Sequence, residues 1–254
     1  MVNPFGTDEM AAGYATSRPP VHEHVIRRAC RKLERTAPFS RALDVGCGAG
    51  VSTRAIDGFA AHAIGLEPAA AMLPRAAHVA PSSEFIAGAA EALPFRDHAF
   101  DVITAAGSLN YVDLDRFFPE AARVLGPHGV LVIYDFSPGR IFREAPGLDE
   151  WFTCFHRRYP PPLNEGIDLN PAMLAARCRH LRLKCSEPFE IGLRLSPGFY
   201  LDYVLTETNV ADAVRRGIPP SEIRRWCAST LAPVWQGSEH EVIFRGYFAC
   251  FDAG

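Results

Sequence analysis

The segment LDVGCGAG, residues 43–50, constrains the fold of this chain more than any other stretch. It places three glycines at alternate positions, Gly46, Gly48 and Gly50, directly after a short apolar run. Glycine adopts backbone conformations that other residues disfavour, so this pattern predicts a sharp turn at the end of a strand. Such a turn lets the backbone come close to a ligand, typically a nucleotide cofactor bound between a strand and a helix. A turn made only for tight packing is the alternative.

Short apolar runs rich in β-branched residues alternate with helix-like segments through residues 40–136. Alternation at this spacing predicts a parallel sheet with helices on both faces. The tripeptide Pro127-His128-Gly129 predicts a turn into the fifth strand. After Phe136 the alternation stops, and two later strand-like runs, 181–195 and 240–251, predict an antiparallel pair at one sheet edge. Helices are predicted over 21–35, 51–59, 69–77 and 114–125.

The chain is therefore interpreted as one domain in three parts. Residues 1–39 form an N-terminal lid segment and helix, and residues 40–136 form the cofactor-binding core. Residues 137–254 supply cap insertions together with the last two strands of the sheet. In the cap, Trp151, Phe152 and Phe155 are predicted to pack as its core rather than to form a platform for an acceptor. Aromatic side chains of this size contribute strongly to burial.

Composition excludes several classes of protein. The 254 residues carry a formal net charge of −3, which offers no electrostatic reason to bind nucleic acid or an anionic membrane. No apolar run approaches the roughly 18 residues of a spanning helix. The seven cysteines are scattered and include no Cys-x-x-Cys pair, which argues against a structural metal site or a disulfide framework. The sequence thus predicts a cytoplasmic protein that has no metal and binds neither membrane nor nucleic acid.

The glycine spacing separates two kinds of nucleotide site. The dinucleotide pattern G-x-G-x-x-G places its third glycine three residues after the second, whereas position 51 here is Val. An acid, Asp44, also opens the motif. A nicotinamide-dependent oxidoreductase would further need a proton-relay pair such as Tyr-x-x-x-Lys, and Lys32 and Lys184 lie outside the core. These observations argue against that class.

Four motifs in order carry a specific resemblance. They are DVGCGAG, then GLEP at the end of the second strand, then GAAEALPFRDHAFD over 88–101, and EAARVLGPHGVLVI over 120–133. Together they resemble the class I S-adenosylmethionine-dependent methyltransferases, in the small-molecule branch that includes trans-aconitate and ubiquinone-type enzymes. The resemblance implies a Rossmann-like α/β fold: a seven-stranded, mostly parallel sheet in the order 3-2-1-4-5-7-6, with the last strand antiparallel and helical cap insertions.

The resemblance also implies a cofactor, S-adenosyl-L-methionine, with S-adenosyl-L-homocysteine as product. Glu67, at the end of the second strand, would accept hydrogen bonds from both ribose hydroxyls. Ala89 stands where the family has an acid that binds the adenine amino group, so one hydrogen bond worth about 0.5–1.5 kcal/mol is absent or replaced. The Ala90 N–H can still reach the adenine ring. The implied cofactor-binding residues are Tyr14, Arg18, Asp44, Gly46, Cys47, Gly48, Gly50, Glu67, Pro68, Ala89, Ala90 and Ala105.

Tyr14 and Arg18 belong to that set because GYATSRPP is similar to the Tyr-x-x-x-Arg-Pro opening of trans-aconitate-type relatives. In those relatives the segment closes over the cofactor. Arg18 would hold a carboxylate of the cofactor or of an acidic acceptor. An ordinary surface arginine is the alternative.

The acceptor side is less specific. Asn110 and Tyr111 follow the fourth strand, where this family often places acceptor-side residues, although capping and packing are the alternative. Tyr200 and Tyr203 share a helix face and are candidates for substrate contact, with packing of the lid favoured. His156 is a candidate base, although a lone histidine in a loop is more often structural. Asn110, Tyr111 and His156 are the weak catalytic candidates.

The implied reaction is in-line methyl transfer to a small-molecule acceptor, driven mainly by proximity and orientation. A monomer or a homodimer is expected. The alternative is a protein that binds S-adenosylmethionine without transferring methyl, or uses it for other chemistry.

Overall fold

A computed structural model describes residues 18–162, 166–237 and 239–252 of the chain. Over these residues the backbone forms eight strands and nine α-helices. The strands are β1 (Phe39–Val45), β2 (Ala60–Glu67), β3 (Glu84–Ala87), β4 (Phe100–Ala106), β5 (Leu125–Phe136), β6 (Ile141–Phe142), β7 (Arg182–Leu195) and β8 (His240–Asp252). The helices are α1 (Val21–Lys32), α2 (Val51–Ile56), α3 (Leu73–Val79), α4 (Leu114–Val124), α5 (Leu148–Arg158), α6 (Pro171–Arg177), α7 (Pro197–Val204), α8 (Thr208–Arg215) and α9 (Pro220–Trp235). Short 3₁₀ turns cover Ala70–Met72 and Leu109–Tyr111.

The chain divides into two compact units. The larger unit contains 20–136, 166–189 and the described residues from 246 onward. The smaller unit contains the described residues of 18–19, 137–162 and 190–245, without residue 238. Each unit is therefore built from separated segments of the chain.

In the larger unit, β1 to β5 form a parallel sheet in the order β3-β2-β1-β4-β5. Val45 at the end of β1 is in register with Leu66 of β2 and Ala105 of β4, so these strands reach the same edge together. β8 joins β5 in the antiparallel direction, and β7 pairs with β8. The predicted mostly parallel sheet with an antiparallel last strand beside the fifth is confirmed.

Two details of the predicted sheet were wrong. The sheet has eight strands, in the order β3-β2-β1-β4-β5-β8-β6 with β7 also on β8, because a two-residue strand, β6, pairs with the first half of β8. In addition, the predicted turn at 127–129 lies within β5, where the pairing with β4 shifts register between Phe100 and Val102. The three residues are accommodated as an irregularity in the ladder.

In the larger unit, α1, α2 and α4 begin at the predicted residues. The helix predicted from residue 69 begins only at Leu73, after a 3₁₀ turn, and α6 was not predicted. α1 buries Val21, Val25, Ile26 and Ala29, the periodic positions of its apolar stripe. α4 starts after Asp113, whose side chain accepts a hydrogen bond from Asp115 N and so caps the helix. Phe117 and Phe118 of α4 are completely buried in the core of this unit. This packing holds α4, and the loop that precedes it, against the sheet.

The core of the smaller unit is aromatic. Trp151 stacks on Phe155 with ring centroids 5.1 Å apart and planes 12° from parallel. Phe152 packs edge-on against both rings, and all three side chains are at most 5% exposed. The prediction that these three residues pack as a core is confirmed.

None of the helices in the described part of the chain is both long enough and apolar enough to span a membrane.

Candidate functional site

The loop between β1 and α2 carries three glycines at alternate positions, and the backbone of each lies in the left-handed region. Their φ angles are +71° for Gly46, +52° for Gly48 and +85° for Gly50. The Gly46 and Cys47 N–H groups both donate to Leu66 O, at 2.8 and 3.1 Å. The loop therefore turns back across the carboxyl end of β2. The sharp turn predicted from the glycine pattern is confirmed.

The three glycines differ in what surrounds them. A Cβ on Gly46 would overlap Ser108 Cβ, and one on Gly50 would lie 2.9 Å from Ala76 Cα. A Cβ on Gly48 would meet no atom within 4 Å. Gly46 and Gly50 are thus required by packing, whereas the backbone at Gly48 borders open space where a ligand can approach closely.

Glu67 closes β2 and joins it to the glycine loop. Its Oε2 accepts a hydrogen bond from Gly48 N at 3.0 Å, and its Oε1 accepts one from Ala69 N at 2.9 Å. The side chain is buried, and this burial raises the pKa of the carboxyl, while the two N–H donors act in the opposite direction. Because an ionised carboxylate has about four acceptor positions, each oxygen retains one for another donor. Pro68, the next residue, is exposed.

Asp44, near the end of β1, is almost completely buried and accepts three hydrogen bonds from hydroxyl groups. Ser52 and Thr53 of α2 donate to Oδ2 at 2.6 and 2.7 Å, and Thr104 of β4 donates to Oδ1 at 2.8 Å. Burial raises the pKa of this carboxyl, and the three hydroxyls oppose that shift. Asp44 therefore ties β1 to the helix after the loop and to β4. Its assignment to the cofactor stays a prediction.

Asp44→Asn is expected to lower the free energy of unfolding by about 1–2 kcal/mol. The amide nitrogen donates where a carboxylate oxygen accepted, so at least one buried hydroxyl loses its acceptor. Relief of the buried charge offsets part of this cost. Chemical denaturation measures the difference, and exposed Asp115, changed to Asn, is the control expected within about 0.5 kcal/mol of wild type. An Asp44→Asn chain as stable as wild type contradicts the role assigned to these hydrogen bonds.

The other cofactor candidates of the larger unit lie at strand ends. Ala105 is fully buried in β4 between Val45 and Ile133, and Ala90 is also buried. Ala89 is exposed in the loop after β3. Cys47 is buried in the glycine loop, and burial, followed by the charges of two nearby carboxylates, raises its pKa far above the usual range. Cys47 is thus a thiol rather than a nucleophilic thiolate.

Asn110 and Tyr111 lie in the 3₁₀ turn after β4. Asn110 Nδ2 donates to Asp135 Oδ2 at 3.1 Å, and Tyr111 is 40% exposed. Asp135, the second-last residue of β5, was not recognised from the sequence. The local signal was a carboxylate near the end of an otherwise apolar strand, GVLVIYDF. Its partner lies 25 residues away in the chain, which a local pattern does not reveal.

The tyrosine candidates belong to the smaller unit. Tyr200 and Tyr203 lie on α7, as predicted, and both are buried. The Tyr200 hydroxyl donates to Gly139 O. The Arg18 guanidinium lies over the ring of Tyr203, 5.3 Å from its centroid. These contacts are those of packed side chains, and the roles in substrate or cofactor binding stay predictions.

His156 lies on α5 rather than in a loop, half-buried with its ring against Phe152 and Phe155. Tyr14 lies outside the described residues. The roles of both stay predictions.

A mostly parallel sheet with a glycine loop after its first strand and a carboxylate closing its second defines a Rossmann-like class of protein. A family model described as a methyltransferase domain matches residues 43–133, which run from β1 into β5. A Mycobacterium ulcerans protein named as a phthiotriol/phenolphthiotriol dimycocerosates methyltransferase 2 is 33% identical over 180 residues, covering 66% of this chain and 68% of that protein. The chain belongs to this methyltransferase family.

Other relatives match shorter stretches. A demethylmenaquinone methyltransferase of Mycolicibacterium vanbaalenii is 38% identical over 112 residues. The match covers 44% of this chain and 48% of that protein, so the chain spans about half of the relative's length. A solved structure named as a type II methyltransferase from Anaeromyxobacter dehalogenans has a TM-score of 0.64 at 24% identity, covering 89% of this chain and 94% of that one. That structure shares the fold.

Proposed function

We propose that this protein binds S-adenosyl-L-methionine and transfers its methyl group to a small-molecule acceptor. The observation that supports this most directly is the contact between Glu67 and the N–H of Gly48. It places a carboxylate with remaining acceptor positions beside a backbone that borders open space. Membership of a methyltransferase family favours this cofactor over other nucleotides.

The described residues of the larger unit fit such a cofactor. Glu67 would accept hydrogen bonds from the ribose hydroxyls, and the open backbone at Gly48 would lie along the ligand. Exposed Ala89 and the Ala90 N–H would border the adenine. When bound, the sulfonium supplies a methyl group that is already electrophilic. The residues of the site therefore need chiefly to orient the two reactants and exclude water.

A small molecule is the acceptor that the relatives favour. Their names refer to demethylmenaquinone and to phthiotriol or phenolphthiotriol dimycocerosates. We include in the same proposal a cytoplasmic location and a monomeric or homodimeric state. The described cysteines all carry free thiols, which suits a reducing compartment.

Methyl-labelled S-adenosylmethionine tests the proposal even while the acceptor is unidentified. The protein is incubated with the labelled compound and a bacterial metabolite extract, and calorimetry measures binding of the same compound. We expect binding, together with label in an extracted small molecule above the level of a heat-denatured control. Binding without labelled product from any extract would support the alternative of a protein that does not transfer methyl. Absence of binding would contradict both functions.

A further inference from the structure

A carboxylate is held at the carboxyl end of β5, beside the loop that follows β4. Asp135 Oδ2 accepts from Asn110 Nδ2 at 3.1 Å, and Oδ1 accepts from Phe136 N at 2.7 Å. Two hydrogen bonds to different oxygens fix the plane of the carboxylate. Each oxygen retains an acceptor position beyond them, because a carboxylate offers about four. Asp135 is therefore oriented and able to accept another hydrogen bond.

One short turn connects this carboxylate to the glycine loop. A Cβ on Gly107, whose φ is +60°, would lie 3.0 Å from Asp135 Oδ1. The following residue, Ser108, packs directly against Gly46 and donates through Oγ to Val45 O at 2.7 Å. A single short turn thus contacts Asp135 on one side and the glycine loop on the other. All of these residues belong to the larger unit.

Two titratable groups face Asp135 from neighbouring elements. Tyr247 lies directly opposite it in the antiparallel pair of β5 and β8, and Asp168 belongs to the segment before α6. Burial, followed by the charge of Asp168, raises the pKa of the Asp135 carboxyl. Burial and the charges of the two aspartates also raise the pKa of Tyr247, which stays protonated at neutral pH. A carboxylate with a raised pKa binds a proton more strongly than an ordinary surface aspartate.

Exposed apolar side chains lie on the two segments that meet at Asn110. Tyr111 is 40% exposed and Ile167 is 50% exposed, and both are large apolar side chains. Ile167 N donates to Asn110 O at 3.0 Å, so the 166–170 segment is attached to the residue that orients Asp135. An exposed aromatic ring and an exposed aliphatic side chain on segments that meet at Asn110, the partner of the half-buried Asp135, favour an acceptor that is largely apolar and carries one polar group.

We propose, on the basis of the function proposed above, that Asp135 is the general base that takes the proton from a phenolic hydroxyl on an otherwise apolar acceptor. The proton passes to a carboxylate oxygen of Asp135 while an oxygen electron pair of the acceptor forms the bond to the methyl carbon. The carbon–sulfur bond breaks with its electron pair on sulfur, which becomes a neutral thioether. Asp135 then releases the proton to solvent.

The acid strengths favour a phenol over an aliphatic alcohol. A phenolic hydroxyl has a pKa of about 10, whereas an aliphatic hydroxyl is a far weaker acid. A carboxylate can share the proton of a phenol in the transition state, and general bases of this kind typically contribute about 10²–10⁴-fold. Asn110 acts through Asp135 and is a positioning residue.

Asp135→Asn tests the proposal with 1-naphthol as the acceptor and labelled S-adenosylmethionine as the donor. We expect kcat/KM at pH 7 to fall at least about 100-fold, while the Kd for the donor stays within about twofold. The deficit should shrink as the pH rises toward the pKa of the naphthol, because the acceptor then ionises without a base. The control Asp113→Asn makes the same chemical change at an exposed helix cap and is expected to leave the rate unchanged.

Stability provides a second readout that does not depend on activity. Because the pKa of Asp135 is raised in the folded state, the native protein retains this proton at pH values where the unfolded chain has lost it. Wild type therefore loses stability relative to Asp135→Asn as the pH rises from about 4 through the raised pKa. We expect the variant to be at least as stable as wild type at pH 7. The introduced side-chain amide can still accept from Phe136 N through its oxygen, and it can still form a hydrogen bond with the side-chain amide of Asn110.

The outcomes separate this proposal from the function on which it rests. An Asp135→Asn chain that methylates 1-naphthol at the wild-type rate and pH profile overturns the base and leaves methyl transfer intact. 1-Naphthylamine, offered to the wild type as a second acceptor, tests the acceptor class. Label that enters 1-naphthylamine but not 1-naphthol overturns the proposal that the acceptor is a phenol. Wild type that binds the donor but labels no acceptor of any kind overturns the proposed function, and the base with it.

Discussion

Gly46→Ala is expected to destabilise the protein by about 2–5 kcal/mol. The left-handed backbone at this position costs a residue with a side chain about 1–2 kcal/mol. The new methyl group would also overlap Ser108 Cβ, and overpacking of this kind typically costs about 1–3 kcal/mol. A typical domain is stable by roughly 5–15 kcal/mol, and this loss lowers the melting temperature by roughly 4–20 °C. Differential scanning calorimetry measures it.

Whereas Gly46→Ala chiefly lowers stability, Gly48→Ala is expected to weaken cofactor binding. Its φ of +52° also disfavours a side chain, so a loss of about 1–2 kcal/mol is expected. The methyl group meets no protein atom within 4 Å and would project toward the space proposed for the cofactor. We expect the Kd for S-adenosylmethionine, measured by calorimetry, to rise more than about tenfold, which corresponds to about 1.4 kcal/mol.

Gly58→Ala is the matched control, since Gly58 lacks a positive φ and a Cβ at this position would meet no atom within 4 Å. It should change stability by no more than about 0.5 kcal/mol and leave cofactor affinity unchanged. A double-mutant cycle with Ser108→Gly should recover part of the loss at Gly46, because the overlapping atom is removed. Equal stability of Gly46→Ala and wild type, or unchanged affinity in Gly48→Ala, would refute the division of roles between these glycines.

Glu67→Ala should weaken binding of S-adenosylmethionine by about 100-fold. The substitution removes the acceptor for the ribose hydroxyls and the partner of Gly48 N, which orients the loop. Hydrogen bonds to a charged group are worth about 1.5–3 kcal/mol each, and two at the lower limit correspond to about 100-fold in Kd. Titration calorimetry measures the affinity at a temperature where circular dichroism shows both chains to be folded.

A graded series sharpens this test. Glu67→Gln keeps one carbonyl acceptor and should weaken binding only about tenfold. Glu84→Ala removes an exposed carboxylate at the opposite end of the neighbouring strand β3 and should bind as wild type does. An affinity for Glu67→Ala equal to that of wild type would contradict the assignment of this carboxylate to the cofactor.

Much of the larger unit could be predicted because its signals are local. Strand and helix periods alternate through residues 40–136, and the left-handed φ angles of Gly46, Gly48 and Gly50 follow from glycines at those positions. The antiparallel placement of β8 beside β5 followed from the resemblance to a family. The extra strand β6 was not predictable, because two residues have no period and become a strand only by pairing with β8.

The candidate site shows the same limit at the level of single residues. Glu67 is recognisable as an acid that follows a strand, but its contact with Gly48 depends on how the loop folds back over β2. The sequence presents Asp44 as part of a motif, whereas its three hydroxyl donors include Thr104, which lies 60 residues away. Asp135 was missed because its partners come from the loop after β4, the segment before α6 and β8.

The sequence by itself determined the class of fold, the position of the sharp turn and the acid that closes the second strand. The class of fold and the turn depend on backbone preferences and periodicities that act over a few consecutive residues, and the acid is marked by the resemblance to a family. The tertiary structure alone decided that Gly48, and not Gly46 or Gly50, borders open space, and that Asp135 faces Asn110 and Tyr247. Such contacts join distant parts of the chain, and they exist only after parallel strands have brought their carboxyl ends to one edge.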